Sequence, residues 1–146
     1  MNYLERDTYG IYNQSHFTTS TLDYKKGPGP HLMGANTLIG NDVRNIAGDD
    51  LGDIKEIMLD MHTGKIAYAV LSFGGFLGMG EKLFAVPWNA LILDTENKCF
   101  MLNANKERLS NAPGFDKDSW PDMADQTWSK KVHDFYEAKP YWENRN

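Results

Sequence analysis

The chain has 146 residues, with 41% apolar and 24% charged positions, enough for one domain with extensions and a core that needs neither disulfide nor metal. A formal net charge of −5 argues against nucleic acid, whose phosphates call for a Lys/Arg face. Cys99 is the only cysteine, so an intramolecular disulfide is excluded and a reducing compartment is expected.

Residues 1–36 read as an arm rich in Ser, Thr, Asn, Gly and Pro that contains the strong breaker Gly27-Pro28-Gly29-Pro30. Its charges cancel: Glu5, Asp7 and Asp23 stand against Arg6, Lys25 and Lys26. The arm is unusual in holding Tyr3, Tyr9, Tyr12, Phe17 and Tyr24, because disordered tails are poor in aromatics. It packs on its own domain or docks on a partner, and Tyr9 and Tyr12 are candidate contacts. The N-terminus lacks the apolar core of a signal peptide, and no apolar run approaches a membrane span. A soluble, cytoplasmic protein without membrane insertion is the expectation.

A β-rich domain is expected over 37–114. Leu38-Ile39 and Asn45-Ile46 read as short strands, followed by a tight turn at Gly48-Asp49-Asp50. Residues 53–61 fit both a helical and a strand template; their shortness and flanking glycines favour a strand, with a bulge where the phase slips near Lys55-Glu56. His62-Thr63-Gly64-Lys65 is a hairpin turn. Ile66 to Phe73 is apolar on both faces, so it is a central strand with something packed over its outer side. Leu83 to Val86 is a strand ended by Pro87, and 91–93 and 99–102 form a further hairpin. Residues 104–112 suit a short helix stopped by Pro113-Gly114.

Residues 115–146 read as a helical extension. The last helix runs from near Pro121 or Ala124 to Ala138, with Trp128, Val132, Phe135 and Tyr136 in one apolar stripe. Such a tail must pack on the sheet or on another chain. Three of the four tryptophans (Trp120, Trp128 and Trp142, but not Trp88) lie in it, and Trp is frequent at interface hot spots.

No segment carries a catalytic, cofactor or metal motif. The glycines of 74–80 feed a strand rather than open a helix, which rules out a dinucleotide fingerprint. Phe76, Leu77 and Met79 in that loop are candidate contacts. Asp49, Asp50, Asp53 and Asp60 fall short of a calcium loop, so turn chemistry accounts for them and at most a weak cation site remains. His16, His31, His62 and His133 lack metal-ligand spacing. Ser72 lacks the strand–turn–helix context of a nucleophile elbow, and Cys99 falls in a strand, where thiols are usually inert.

Leu51-Gly52-Asp53-Ile54 with Asp60, Thr63 to Leu71, Gly74 to Gly78 and Val86 to Leu91 together resemble the PRC-barrel family, named for the cytoplasmic domain of the photosynthetic reaction-centre H subunit. The likeness spans roughly 37–113. Asp125 to Trp142 is similar to the tail of some stand-alone bacterial members. The resemblance implies a mainly β fold: a small antiparallel β-barrel with a short helix and a C-terminal helical tail, often dimeric. Family members act through contacts, one beneath a membrane photosystem and one on a ribosomal protein, and supply no catalytic residues to map. A non-enzymatic interaction or assembly module is therefore expected, without cofactor, pairing with itself and with an unknown protein. Its candidate interface comprises Phe76, Leu77, Met79, Trp88, Trp128, Phe135, Tyr136, Tyr141, Trp142, Tyr9 and Tyr12. Two alternatives stand beside it. One is a ligand-binding protein or enzyme with a pocket between barrel and C-terminal helix, where His133, Asp134 and Tyr136 are the first polar groups of interest. The other is a binding protein associated with RNA processing.

Overall fold

A computed structural model of the chain describes residues 2–7, 32–73 and 82–143. Seven strands form one sheet in the order β5-β6-β1-β2-β3-β4-β7. These are β1 (Asp42–Arg44), β2 (Asp50–Leu59), β3 (Ile66–Phe73), β4 (Lys82–Pro87), β5 (Leu91–Asp94), β6 (Cys99–Leu102) and β7 (Gly114–Phe115). Three α-helices accompany them among the described residues: α1 (Ala35–Leu38), α2 (Lys106–Ser110) and α3 (Gln126–Phe135). The neighbouring strands are antiparallel except for β1 and β6, where Val43 lies beside Phe100 in parallel register.

Hydrogen bonding does not join β5 to β7, yet the sheet coils around one core. Phe84 and Val86 of β4 share a buried cluster with Phe100 and Leu102 of β6, although three strands separate them in the sheet. Trp88, in the 3-10 turn after β4, meets Phe100 with ring centroids 5.6 Å apart. Side-chain packing thus closes what the ladder leaves open.

The anticipated bulge is present: the β2–β3 register shifts between Ile54 and Glu56. Gly52 adds a second irregularity. Its φ is +109°, and a Cβ there would collide with the Ser72 carbonyl oxygen of β3. Only glycine permits both the conformation and the close approach. The β2–β3 turn has Gly64 at φ +76°, as its sequence requires.

β3 is buried from Ala67 to Phe73 on both faces. Ala69, Leu71 and Phe73 belong to the main core. Tyr68 faces α3, where Val132 and the half-buried Trp128 cover it. The apolar stripe of α3 therefore packs on the sheet. The helix starts at Asp125, whose carboxylate accepts from the Thr127 N–H at 3.3 Å, and it ends before Glu137, which is in the left-handed region at φ +54°.

Two local expectations differ from the structure. Leu38 closes the one-turn helix α1 and joins the core, where a strand with Ile39 was anticipated. The next strand lies at Asp42–Arg44, and Asn45-Ile46 is not in it. An isolated apolar pair carries no period of its own. Here the position of Val43, fully buried between β2 and β6, decides the register.

Candidate functional site

A concavity lies between the β2–β3 hairpin and the C-terminal segment. It encloses about 640 Å³. Its floor is the central strand: Ala67 and Tyr68 of β3, beside Met58 of β2. One wall is the hairpin turn, with Asp60, Met61 and His62. The other is the C-terminal segment, which contributes Trp120 and Met123 from the loop before α3, Ser129 from α3, and Tyr141 and Trp142 beyond it.

Tyr68 and Ser129 in the floor and wall and Asp60 in the turn are hydrogen-bonded. The Tyr68 and Ser129 hydroxyls are hydrogen-bonded to each other. Burial pushes the Tyr68 phenol up, and the Ser129 bond partly offsets this. Asp60 organises the turn: Oδ1 accepts from the backbone N–H of His62 (2.9 Å) and of Thr63 (3.3 Å). Its Oδ2 accepts from the Tyr141 hydroxyl at 2.7 Å, a bond that closes across 81 positions of sequence. The Tyr141 bond, followed by the backbone N–H of His62, holds the Asp60 carboxyl below its ordinary range. Desolvation and the Asp60 bond push the Tyr141 phenol up to about 12. The C-terminal segment is tied down further by Asn89 Nδ2 donating to the Lys139 carbonyl (3.3 Å) and Lys65 Nζ donating to the Tyr141 carbonyl (3.4 Å).

The rim is apolar. Met61 is 86% exposed, Leu59 54%, Trp120 43% and Trp142 42%, and all four line the cleft. Both indoles are held in place. Trp120 donates its Nε1–H to the Lys117 carbonyl (2.7 Å) and rests on Phe115, with centroids 5.1 Å apart. Trp142 stacks edgewise on Tyr141 (5.1 Å) and on the buried His133 (5.2 Å).

A cleft between sheet and tail is thus present, but the polar groups singled out for it do not converge there. His133 is buried behind the wall. Its Nδ1 lies 2.7 Å from the Ser129 carbonyl, which only accepts, so Nδ1 carries the proton, and Nε2 finds no partner among the described residues. Asp134 faces away, lining a shallow depression with Lys130 and Lys131. Tyr136 buries its hydroxyl without a described partner, and burial drives its phenol strongly up.

The structure distributes the other candidate contact residues as follows. Trp88, Phe135 and Tyr136 are half-buried against the main core. Trp128 is half-buried against Tyr68, with centroids 5.4 Å apart. Tyr141 and Trp142 border the cleft, and Trp142 alone of these six is exposed. Phe76, Leu77, Met79, Tyr9 and Tyr12 lie outside the described residues. Trp120, raised from sequence only as one of the tail tryptophans, belongs to the exposed rim, as do Leu59 and Met61, which were not singled out as contacts from sequence. The signal for Met61 was available: an apolar residue beside a hairpin turn has nothing to pack on locally.

Among the described residues no three His, Cys, Asp or Glu side chains are grouped to hold a metal ion. Asp49 instead pairs with Asn45, accepting at Oδ2 from Nδ2 (3.1 Å), and Asp50 accepts from the Gly52 N–H (2.9 Å). The Cys99 thiol is buried, and desolvation with the Asp94 charge raises it further. No helix among the described residues is long and apolar enough to cross a membrane.

The model of the PRC-barrel domain matches residues 30–109, more than half of the chain. The chain belongs to the PRC-barrel family. The match takes in every strand from β1 to β6, and so the floor and hairpin wall of the cleft. It stops short of Trp120, Tyr141 and Trp142, so the opposite wall comes from sequence outside the family domain. No curated protein matches the chain.

Proposed function

We propose that this PRC-barrel protein is a non-enzymatic contact module of the cytoplasm, presenting the cleft and its rim to another protein and pairing with a second copy of itself. Clustering carries the first part. Of the seven large apolar side chains exposed among the described residues, Leu59, Met61, Trp120 and Trp142 border this one cleft. Scattered apolar residues on a surface need no explanation, whereas a group around a concavity marks a contact site. The buried Cys99 fits a reducing compartment.

The absence of catalysis is supported by the state of the polar groups. Asp60, with its lowered pKa, is a poor base, and Tyr141, raised to about 12, supplies no base near neutrality. Self-association draws support from β5, one of the two outermost strands, which among the described residues is paired by β6 alone and carries the exposed Ile92. An open edge extends a sheet across a twofold axis. A second reading, a small ligand in the same cleft, is favoured only by the volume, which falls in the range of ligand pockets.

Two measurements test the proposal. Sedimentation velocity at micromolar concentration should show a dimer that Ile92→Lys dissociates; a monomer defeats the self-association half. Capture of partners from the native host should be lost in Met61→Ser/Trp142→Ser. Capture unchanged by both substitutions defeats the cleft half.

A further inference from the structure

The chemistry of the cleft narrows what enters it. Two indoles border the space from separate elements, Trp120 fixed by Lys117 and Phe115 and Trp142 fixed by Tyr141 and His133. The aromatic face carries negative potential and attracts cations. Two carboxylates, Asp60 and Asp122, are among the lining residues, and none of the lining residues is Lys or Arg. The three hydrogen bonds that Asp60 accepts favour its charged form, so it is a fixed negative charge at neutral pH. Lys65 stands outside the lining, reaching the Tyr141 carbonyl. An anion would meet carboxylates and ring faces. A neutral apolar group would gain nothing from the two negative charges, whose hydrogen bonds come from neutral donors.

We infer that the cleft receives a basic, apolar peptide segment of a partner protein, with an Arg or Lys cation between Trp120 and Trp142 near Asp60 and Asp122 and flanking apolar side chains on Leu59 and Met61. This rests on the contact-module reading and names the partner's chemistry. The rim decides for a peptide over a small ammonium compound. Met61 and Leu59 carry the apolar lining of the cleft out to its exposed rim, and a ligand of a few atoms would leave much of that rim in water. Flexible methionines at Met58, Met61 and Met123 suit a surface that must shape itself to side chains.

The test uses the full chain and three capped heptapeptides, identical except that the central residue is arginine, norleucine or glutamate. Binding is read by tryptophan fluorescence and calorimetry. The arginine peptide should bind about tenfold more tightly than the norleucine peptide, the sum of one exposed cation–π contact and a rim ion pair. The glutamate peptide should bind most weakly. Asp122→Asn should remove a few-fold of the preference, and so should Asp60→Asn. Raising the salt should narrow the gap. Asp122→Asn lies outside the turn that Asp60 organises, so its effect is separate from any unfolding of that turn.

Equal binding of all three peptides overturns the inference while leaving an apolar contact site in place. Failure of all three, with partner capture still sensitive to Met61→Ser/Trp142→Ser, also overturns it and spares the contact reading. Preferential binding of a single-stranded RNA oligomer over the arginine peptide overturns both.

Discussion

The centre of the sheet and the C-terminal segment are held in place by different means. Strand β3 is bordered by β2 and β4 along its length and buried on both faces. Each of its contacts is backed by others, so that no single bond decides its position. The segment after α3 is held by a few hydrogen bonds, Tyr141 to Asp60, Asn89 to Lys139 and Lys65 to Tyr141, together with the ring contacts of Tyr141 and Trp142. The cleft lies where these two regions meet. Its floor is the buried central strand, and its wall is tied on by a few hydrogen bonds, so the wall should open locally at a lower cost than the floor.

Substitutions of graded severity should separate the two regions. Phe84→Ala empties the middle of the core, where Phe84 is 1% exposed, and should cost about 3–5 kcal/mol by denaturant titration. Gly52→Ala forces a left-handed φ on alanine and drives its Cβ into the Ser72 carbonyl, so a loss of at least ~1–3 kcal/mol is expected. If that variant melts like the parent, β2 and β3 approach less closely than described. Tyr68→Phe removes the hydroxyl bonded to Ser129 at the junction of floor and wall; about 1 kcal/mol should be lost, with hydrogen exchange rising in α3 before it rises in β3.

The smallest global effect is expected from Tyr141→Phe, which cuts the link to Asp60. Global stability should hardly change, while exchange in residues 138–143 speeds up. The same link sets a pH window in the parent. The Asp60 pKa lies below its usual 3.8, so the contribution is whole above that value and is lost as pH falls through the lowered one. The Tyr141 phenol is raised from 10.0 to about 12, so its contribution is whole below pH 10 and is lost as pH rises through about 12. Local exchange in 138–143 should therefore be slowest relative to its intrinsic rate between those limits. Equal protection in Tyr141→Phe across the whole range would assign the strap to its apolar contacts alone.

Much of the fold was legible in the sequence, for reasons particular to each element. The run Ile66–Phe73, apolar on both faces with Ser72 its one short polar residue, announced a strand covered on both sides. The phase slip near Lys55-Glu56 announced the bulge, and the spacing of Trp128, Val132, Phe135 and Tyr136 announced a helix lying on something apolar. Short elements were not legible: a pair such as Leu38-Ile39 fits a strand or a helical turn equally well. The packing of Trp88 on Phe100 was not legible either, because an aromatic count does not say which way a ring faces.

By itself the sequence determined the family, the mainly β class and the central strands, because these follow from local periodicity and turn chemistry, which neighbouring residues fix among themselves. Only the tertiary structure decided the parallel β1–β6 pairing, the side chains that face inward and the cleft. Met61, Trp120 and Trp142 become one surface only once the chain has coiled the sheet and brought Tyr141 back to Asp60. That juxtaposition depends on long-range packing, which leaves no periodic trace in the order of residues.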